Sequence, residues 1–361
     1  IEIARRDSEK GKSWPIHISM VCHTARIEPI PIYVCTARVS TMATVAITGS
    51  NGFVGGNIAK VLQLAGHEVI GLVRTPQANP LPWATRVVDL SSIDSIATAL
   101  SDCTAVVHSA IANDFNKLQE DRAFAYDSYV ALTQRVTHAA NRAGAQTIYV
   151  SSGWVMDGTT HMTPESNPGN PVNFYGVLKA LSEQVIRDLA PESGAIARIE
   201  GVMGIHQTQS VGPRTQDVGF GYFVTSLVKD LQAGKTFTVF GGERVNKVTA
   251  PSNAAEAGAQ IERIIARKAA GTFHLVPDDA VNRMQYAKLV CDVFELDSSL
   301  LREADPPADQ LFPGAVPVDT SLSNSVTKQT LGLGAISTRD LLFALRTELE
   351  TGNITFITQP E

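Results

Sequence analysis

The sequence predicts an α/β fold, a doubly wound parallel sheet with a smaller C-terminal lobe, on three observations. From Met42 onward, short apolar runs alternate with helical stretches, the pattern of a parallel sheet covered on both faces. A glycine-rich run, Thr48-Gly49-Ser50-Asn51-Gly52-Phe53-Val54-Gly55-Gly56, follows the first apolar run at once and opens a helix. After Gly204 the alternation becomes less regular, so residues 42–204 read as the main domain and 205–361 as mainly a second lobe interleaved with it.

The elements follow in order. Val45 to Thr48 is the first strand, and the helix after the glycine turn runs to about Ala65. Glu68 to Arg74 is the second strand, Thr85 to Asp89 a short third, and Ala105 to Ser109 the fourth. A long helix around Ala125 to Ala143 leads to a fifth strand, Thr147 to Ser151. The helix carrying Tyr175 runs to about Leu189, and Ala195 to Ile199 makes the sixth strand. Beyond Gly204, Phe237 to Phe240 and Thr272 to Val276 are separated strands among helices, and no internal repeat or low-complexity tract is visible.

A chain of 361 residues with 44% hydrophobic residues is ample for a large core. A formal net charge of −6 without a long basic run argues against a nucleic-acid partner. The four cysteines, Cys22, Cys35, Cys103 and Cys291, are scattered without metal-ligand spacing, so no metal is expected and a reduced, cytoplasmic setting fits. Cys22-His23 with Cys35 lacks a convincing fourth ligand for zinc. No uninterrupted apolar run approaches the length of a membrane span, so no membrane partner is expected.

Residues 1–41 carry the polar stretch Arg5 to Lys12 and three prolines, Pro15, Pro29 and Pro31, without a signal-peptide pattern. Because the fold pattern starts abruptly at Met42, they are expected to be an upstream extension, not native or disordered. An ordered arm packing on the domain is the alternative.

The glycine turn has a specific physical task. Gly49, Gly52 and Gly55 let the chain turn sharply, bring backbone amides against a pyrophosphate and let the helix pack tightly on the strand. The helix N-terminus, with Asn51, Phe53 and Val54 around it, then offers N–H groups and a partial positive charge to phosphates. The strand–turn–helix context is the one a dinucleotide-binding, Rossmann-type domain requires.

The second strand ends in Leu72-Val73-Arg74-Thr75, with no acidic residue at its tip to accept from the ribose hydroxyls of NAD. A guanidinium pairs with a ribose 2′-phosphate, so Arg74 favours NADP, with NAD as the alternative. A solvated strand end is the plainer account of Arg74. Asp89-Leu90 either flanks the adenine or caps the following helix.

Tyr175-Gly176-Val177-Leu178-Lys179 supplies the chemistry. Residues four apart share a helix face, so Tyr175 and Lys179 can point into one cleft. A free phenol titrates near pH 10, and a nearby ammonium brings it toward the working range. Ser152, at the end of the fifth strand, can hydrogen-bond a substrate carbonyl and stabilise charge developing there. Trp154 either stacks on the substrate or fills core space.

These residues carry a resemblance. The Gly49/Gly52/Gly55 turn, Val107-His108-Ser109-Ala110, Ser151-Ser152 and Tyr175-x-x-x-Lys179 resemble an extended short-chain dehydrogenase/reductase over nearly everything after Met42. The resemblance implies a Rossmann domain with a C-terminal substrate lobe, a catalytic triad of Ser152, Tyr175 and Lys179, and Ser109-Ala110 lining the cofactor. Thr163-Pro164-Glu165, the run Thr249 to Ala257, Gly271 to Val276 and Val318 to Leu322 are similar to the dTDP-4-dehydrorhamnose reductase group. That group reduces a 4-keto group on a nucleotide-linked sugar, which makes a nucleotide sugar the implied partner and places Thr249 among the substrate contacts. Gly153-Trp154-Val155-Met156-Asp157 departs from the Val-Tyr-Gly turn of many relatives, and no Asp-Glu pair follows Ser152, against the 4,6-dehydratase branch. An NAD(P)-dependent epimerase, a reductase of a small ketone or aldehyde, and a non-catalytic cofactor-binding regulatory subunit are the alternatives. The long helices around 125–143 and 176–189 either form the contact of a homodimer, as in relatives, or are plain core.

Overall fold

A computed structural model describes residues 42–77, 80–112, 114–208 and 215–361. The upstream extension and the Cys22, His23 and Cys35 group lie outside the described residues. Among the described residues no helix is long and apolar enough to cross a membrane.

The chain runs β1 (Thr44–Thr48), α1 (Phe53–Leu64), β2 (Glu68–Val73), β3 (Ala84–Val87), α2 (Ile93–Ala99) and β4 (Ala105–His108). Two short helices, α3 (Phe115–Glu120) and α4 (Arg122–Tyr126), then lead through a π-helical turn at Asp127–Ala131 into α5 (Leu132–Ala143). The expected helix around Ala125 to Ala143 is therefore interrupted by a wider turn. Next come β5 (Gln146–Ser152), α6 (Phe174–Leu189) and β6 (Ala195–Ile199). The remainder comprises α7 (Phe223–Gln232), β7 (Phe237–Phe240), β8 (Val248–Thr249), α8 (Ala254–Arg267), β9 (Gly271–His274), β10 (Val281–Asn282), α9 (Arg283–Phe294), β11 (Leu301–Ala304), α10 (Ser325–Leu331) and α11 (Thr338–Thr351).

Seven strands form one parallel sheet in the order β3-β2-β1-β4-β5-β6-β9. Side chains alternate across it as strand geometry demands. Val45 and Ile47 of β1 pack with Ile58 and Leu62 of α1 and Ile261 of α8, whereas Ala46 faces Ile96 of α2 and Val136 of α5. Strands buried on both faces read as continuous apolar runs, which is why β1 and β4 are legible in the sequence.

The strand Thr272 to Val276, expected among separated strands of the second lobe, pairs with β6 through Ala195↔Gly271 and Arg198↔His274 and completes the main sheet. Burial of Phe273 in the core shared by β1, α1 and α8 drives that placement. A second apolar cluster gathers Phe223 and Leu227 of α7, Tyr286 and Val290 of α9, and Leu341 and Leu345 of α11.

The sheet order reverses between β1 and β4, and ligands of such sheets bind outside the carboxyl ends at that point. The glycine turn leaves β1 there, and β5 and β6 end on the same side.

Candidate active site

Gly49 adopts a φ of +73°, and a Cβ placed on it would lie 2.9 Å from the Ala110 backbone. A Cβ on Gly55 would lie 2.3 Å from the Gly49 carbonyl oxygen and 2.6 Å from Ser109 Oγ. Turn, helix and β4 end thus meet at backbone distance, closed by Ser109 Oγ donating to the Thr48 carbonyl at 2.7 Å. Gly52 is the N-cap of α1, with no side chain capping the helix and no acidic residue in its first turn. Such an end suits a phosphate group, whose charge the orphan N–H groups stabilise.

Asn51 extends toward Gln77, its amide donating at 3.4 Å, so the loop after β2 folds back over the turn. Arg74 stands one residue beyond β2 and is exposed. Asp89 lies two residues past β3, and its carboxylate accepts from the Ser91 backbone N–H (2.9 Å) and hydroxyl (2.6 Å). The cap of α2 is Ser92 rather than Asp89. Leu90 packs partly against the β2–α2–α5 core while its carbonyl accepts from Arg135.

A cleft of about 670 Å³ brings together Phe53, Val54 and Ser109 with Ser152, Trp154, Tyr175 and Lys179. Another hollow of about 600 Å³, lined by Arg86, Asp94 and Asp102, contains none of the predicted site residues. Asn173 caps α6 by accepting from the Gly176 N–H at 2.9 Å, which sets the start of the helix one turn before Lys179. Tyr175, Lys179 and Glu183 follow at intervals of four on one face. Glu183 is gripped by Arg198 of β6 through two hydrogen bonds (2.9 and 2.7 Å) and accepts from Ser151 Oγ at 2.6 Å. This buried clamp, which sequence reading missed, fixes the rotation of α6 against β5 and β6. The four-residue spacing after Lys179 was its signal.

The electrostatics differ from expectation. Burial pushes Tyr175 above the ordinary phenol range, hydrogen bonding with Ser152 works against it, and Glu200 and Asp217 add to the rise. Burial also pushes Lys179 down to about 7, with Glu183 opposing, and its Nζ donates to the Val150 carbonyl at 2.8 Å. The protein groups alone therefore hold Tyr175 protonated, because its surroundings are largely withdrawn from water and disfavour the phenolate.

Trp154 is both core and wall: it lines the cleft and packs edge-on against Tyr175 (6.0 Å between centroids) and Phe312 (4.9 Å). Thr249, expected to touch substrate, is fully buried behind the cleft with its hydroxyl 3.3 Å from Glu200. The β8 side chain is directed at this buried carboxyl group rather than at the open space of the cleft. Glu200, Asp217, Phe115 and Phe312 line the cleft without having been singled out. Glu200 was hidden because one acidic residue after a strand has no periodic signature.

The pattern of the RmlD substrate binding domain matches residues 42–342. The chain belongs to that family. Among curated relatives, the probable low-salt glycan biosynthesis reductase of Haloferax volcanii is 25% identical over 302 residues, covering 83% of this chain and 96% of the relative. The dTDP-6-deoxy-L-talose 4-dehydrogenase (NAD(P)(+)) of Kitasatospora kifunensis is 32% identical over 48% of this chain and 56% of its own length. Among solved structures, dTDP-4-dehydrorhamnose reductase from Bacillus anthracis, in complex with NADP, superposes with a TM-score of 0.69 at 17% identity, covering 85% of this chain and 99% of that one. MoeE5 in complex with UDP-glucuronic acid and NAD gives 0.67 at 18% identity, covering 86% and 100%. This member of the RmlD family is an NAD(P)-dependent oxidoreductase of the extended short-chain dehydrogenase/reductase type, similar to sugar-nucleotide reductases.

Proposed function

We propose that the protein is an NADPH-dependent reductase that converts a ketone, the 4-keto group of a nucleotide-linked sugar, into an alcohol. The observation that carries this reading is the single cleft in which Ser152, Tyr175 and Lys179 meet the first turn of α1.

The residues present fit the cofactor. The uncapped start of α1 suits its pyrophosphate, Gly49, Gly55, Ser109 and Ala110 form the cradle a Cβ would fill, and Arg74 is exposed at the β2 tip, where a 2′-phosphate would meet it. When bound, the nicotinamide supplies the hydride, and its oxidised ring adds the positive charge that lowers the cost of a Tyr175 phenolate. The chain does the rest. Ser152 Oγ hydrogen-bonds the carbonyl oxygen and orients it. Tyr175, held neutral by burial, gives its proton to that oxygen as negative charge develops there. Lys179, anchored on the Val150 carbonyl, stands one helical turn from Tyr175 to stabilise the phenolate that remains.

A second reading has its own support. Phe53, Phe115, Trp154 and Phe312 line the cleft, walls that also suit a small lipophilic ketone. Exposed Val177 and Leu181 on α6, with Tyr126 nearby in sequence to α5, support a homodimer through these helices.

The test follows NADPH and NADH binding by nicotinamide fluorescence, then cofactor consumption with keto-sugar nucleotides and simple ketones. Replacing Tyr175→Phe should lower turnover by about 10²–10⁴-fold while leaving cofactor binding nearly intact. Wild-type turnover in that variant overturns the assignment.

A further inference from the structure

Glu200 follows β6 directly, lines the cleft beside Ser152 and Tyr175, and is only 2% exposed. Its backbone is locked to Ser252 in both directions: its N–H donates to Ser252 Oγ at 3.0 Å, and its carbonyl accepts from the Ser252 N–H at 2.7 Å. Its side chain joins three segments. Oε2 lies 2.6 Å from Thr320 Oγ1 and 3.3 Å from Thr249 Oγ1. Oε1 lies against the backbone of Gly153, where an added Cβ would stand 2.2 Å away. Only a glycine fits between this carboxyl group and the turn that carries Ser152 and Trp154.

The carboxyl group is buried without an opposing charge to hold it ionised among the described residues. Asn246 Nδ2 points at the carbonyls of Val248, Pro317 and Val318 at 3.0–3.1 Å, which fixes its amide and leaves Oδ1 as an acceptor. Thr320 Oγ1 stands 3.1 Å from that Oδ1 and has one hydrogen to give. It stands closer to Glu200 Oε2, at 2.6 Å, and donates there, but no cation pairs with the carboxyl group among the described residues, so its burial favours the neutral acid. Burial pushes in the same direction, bringing Glu200 up to about 8 against hydrogen bonds from Thr320, Thr249 and Gly153, with Asp319 adding to the rise. Asp114, Tyr175, Lys179, Asp217 and Tyr222 are the other titratable groups that line its cleft.

We propose that Glu200 is a positioning residue for the Ser152–Gly153–Trp154 turn that works as an uncharged acid, and that loss of its proton shuts down the reduction. The ionised group would set a negative charge beside the oxygen at which negative charge develops, raising the barrier that Ser152 lowers. The kinetic part of this inference rests on the reductase reading, so a second readout is independent of turnover.

Infrared difference spectra between wild type and Glu200→Gln report the protonated carboxyl group directly. A carboxylic-acid band near neutral pH that disappears on titration above pH 8 is expected; its absence at neutral pH overturns the proposal. In kinetics, wild-type kcat/KM should fall with two titrations, Lys179 at about 7 and Glu200 at about 8, and so steepen above pH 8. Glu200→Gln, a neutral isostere, should keep activity near neutrality and retain only the shallower fall, about tenfold per pH unit, that one proton gives. An unchanged alkaline limb, or a folded but inactive Glu200→Gln, overturns the proposal. A wild type that reduces no ketone would sink the reductase reading alone, with the infrared band still deciding the state of Glu200.

Discussion

Arg198 on β6 grips Glu183 on α6 through hydrogen bonds of 2.9 and 2.7 Å, with both side chains wholly out of water. Such a pair costs much to desolvate, so its removal is felt through the partner left behind. Arg198→Ala should destabilise the protein by about 3–5 kcal/mol, because Glu183 becomes a buried charge held only by Ser151 and Arg187. A combined Arg198→Met and Glu183→Leu variant should recover most of that loss. Urea unfolding of the two variants checks it, and equal losses in both would contradict the account.

Among the described residues Arg74, exposed one residue beyond β2, makes no ion pair, in contrast to the paired Arg86 and Arg198. If it reads a 2′-phosphate, Arg74→Ala removes charge-assisted bonds of about 1.5–3 kcal/mol. NADPH affinity should then drop roughly ten- to a hundredfold, with NADH affinity nearly unchanged. Fluorescence titration of both cofactors measures the ratio, and a parallel change in both affinities would assign Arg74 to the solvated strand end.

His108, at the end of β4, is fully buried and neutral. Thr133 Oγ1 donates to the Tyr129 carbonyl, so it accepts from His108 Nε2–H at 3.2 Å, and Nδ1 accepts from Thr48 Oγ1 at 2.7 Å. Burial, with Lys179 adding, pushes the imidazole down to about 3, and burial and Arg198 do the same for His274. The folded state thus resists protons that the unfolded chain binds below about pH 6.5. Stability is complete above that pH and falls as pH drops toward 3, by up to about 1.4 kcal/mol per pH unit for each histidine. Urea midpoints at pH 7.5 and 5.0 test the sign, and His108→Gln should flatten part of the slope.

The sheet and the glycine turn were legible because burial on both faces leaves an unmistakable apolar run, and because Gly49 and Gly55 mark a turn few other sequences make. The π-helical turn at Asp127–Ala131 was not, since one extra residue in a helix leaves the hydrophobic period almost intact. Neither was the place of β9, a strand like any other until Phe273 finds the core beside β6.

By itself the sequence determined the local grammar: the strands, the turn at Gly49 to Gly55, and the interval that puts Tyr175 and Lys179 on one face of α6. Those are properties of neighbouring residues, governed by backbone sterics and helical period. The tertiary structure alone decided that Thr249 stands behind Glu200, that Glu183 pairs with Arg198, and that Glu200 presses on Gly153. The Thr249 and Gly153 contacts join residues 49 and 47 positions apart, and the Thr320 contact spans 120. Charge and burial at such contacts depend on which surfaces meet, and only the folded chain brings them together.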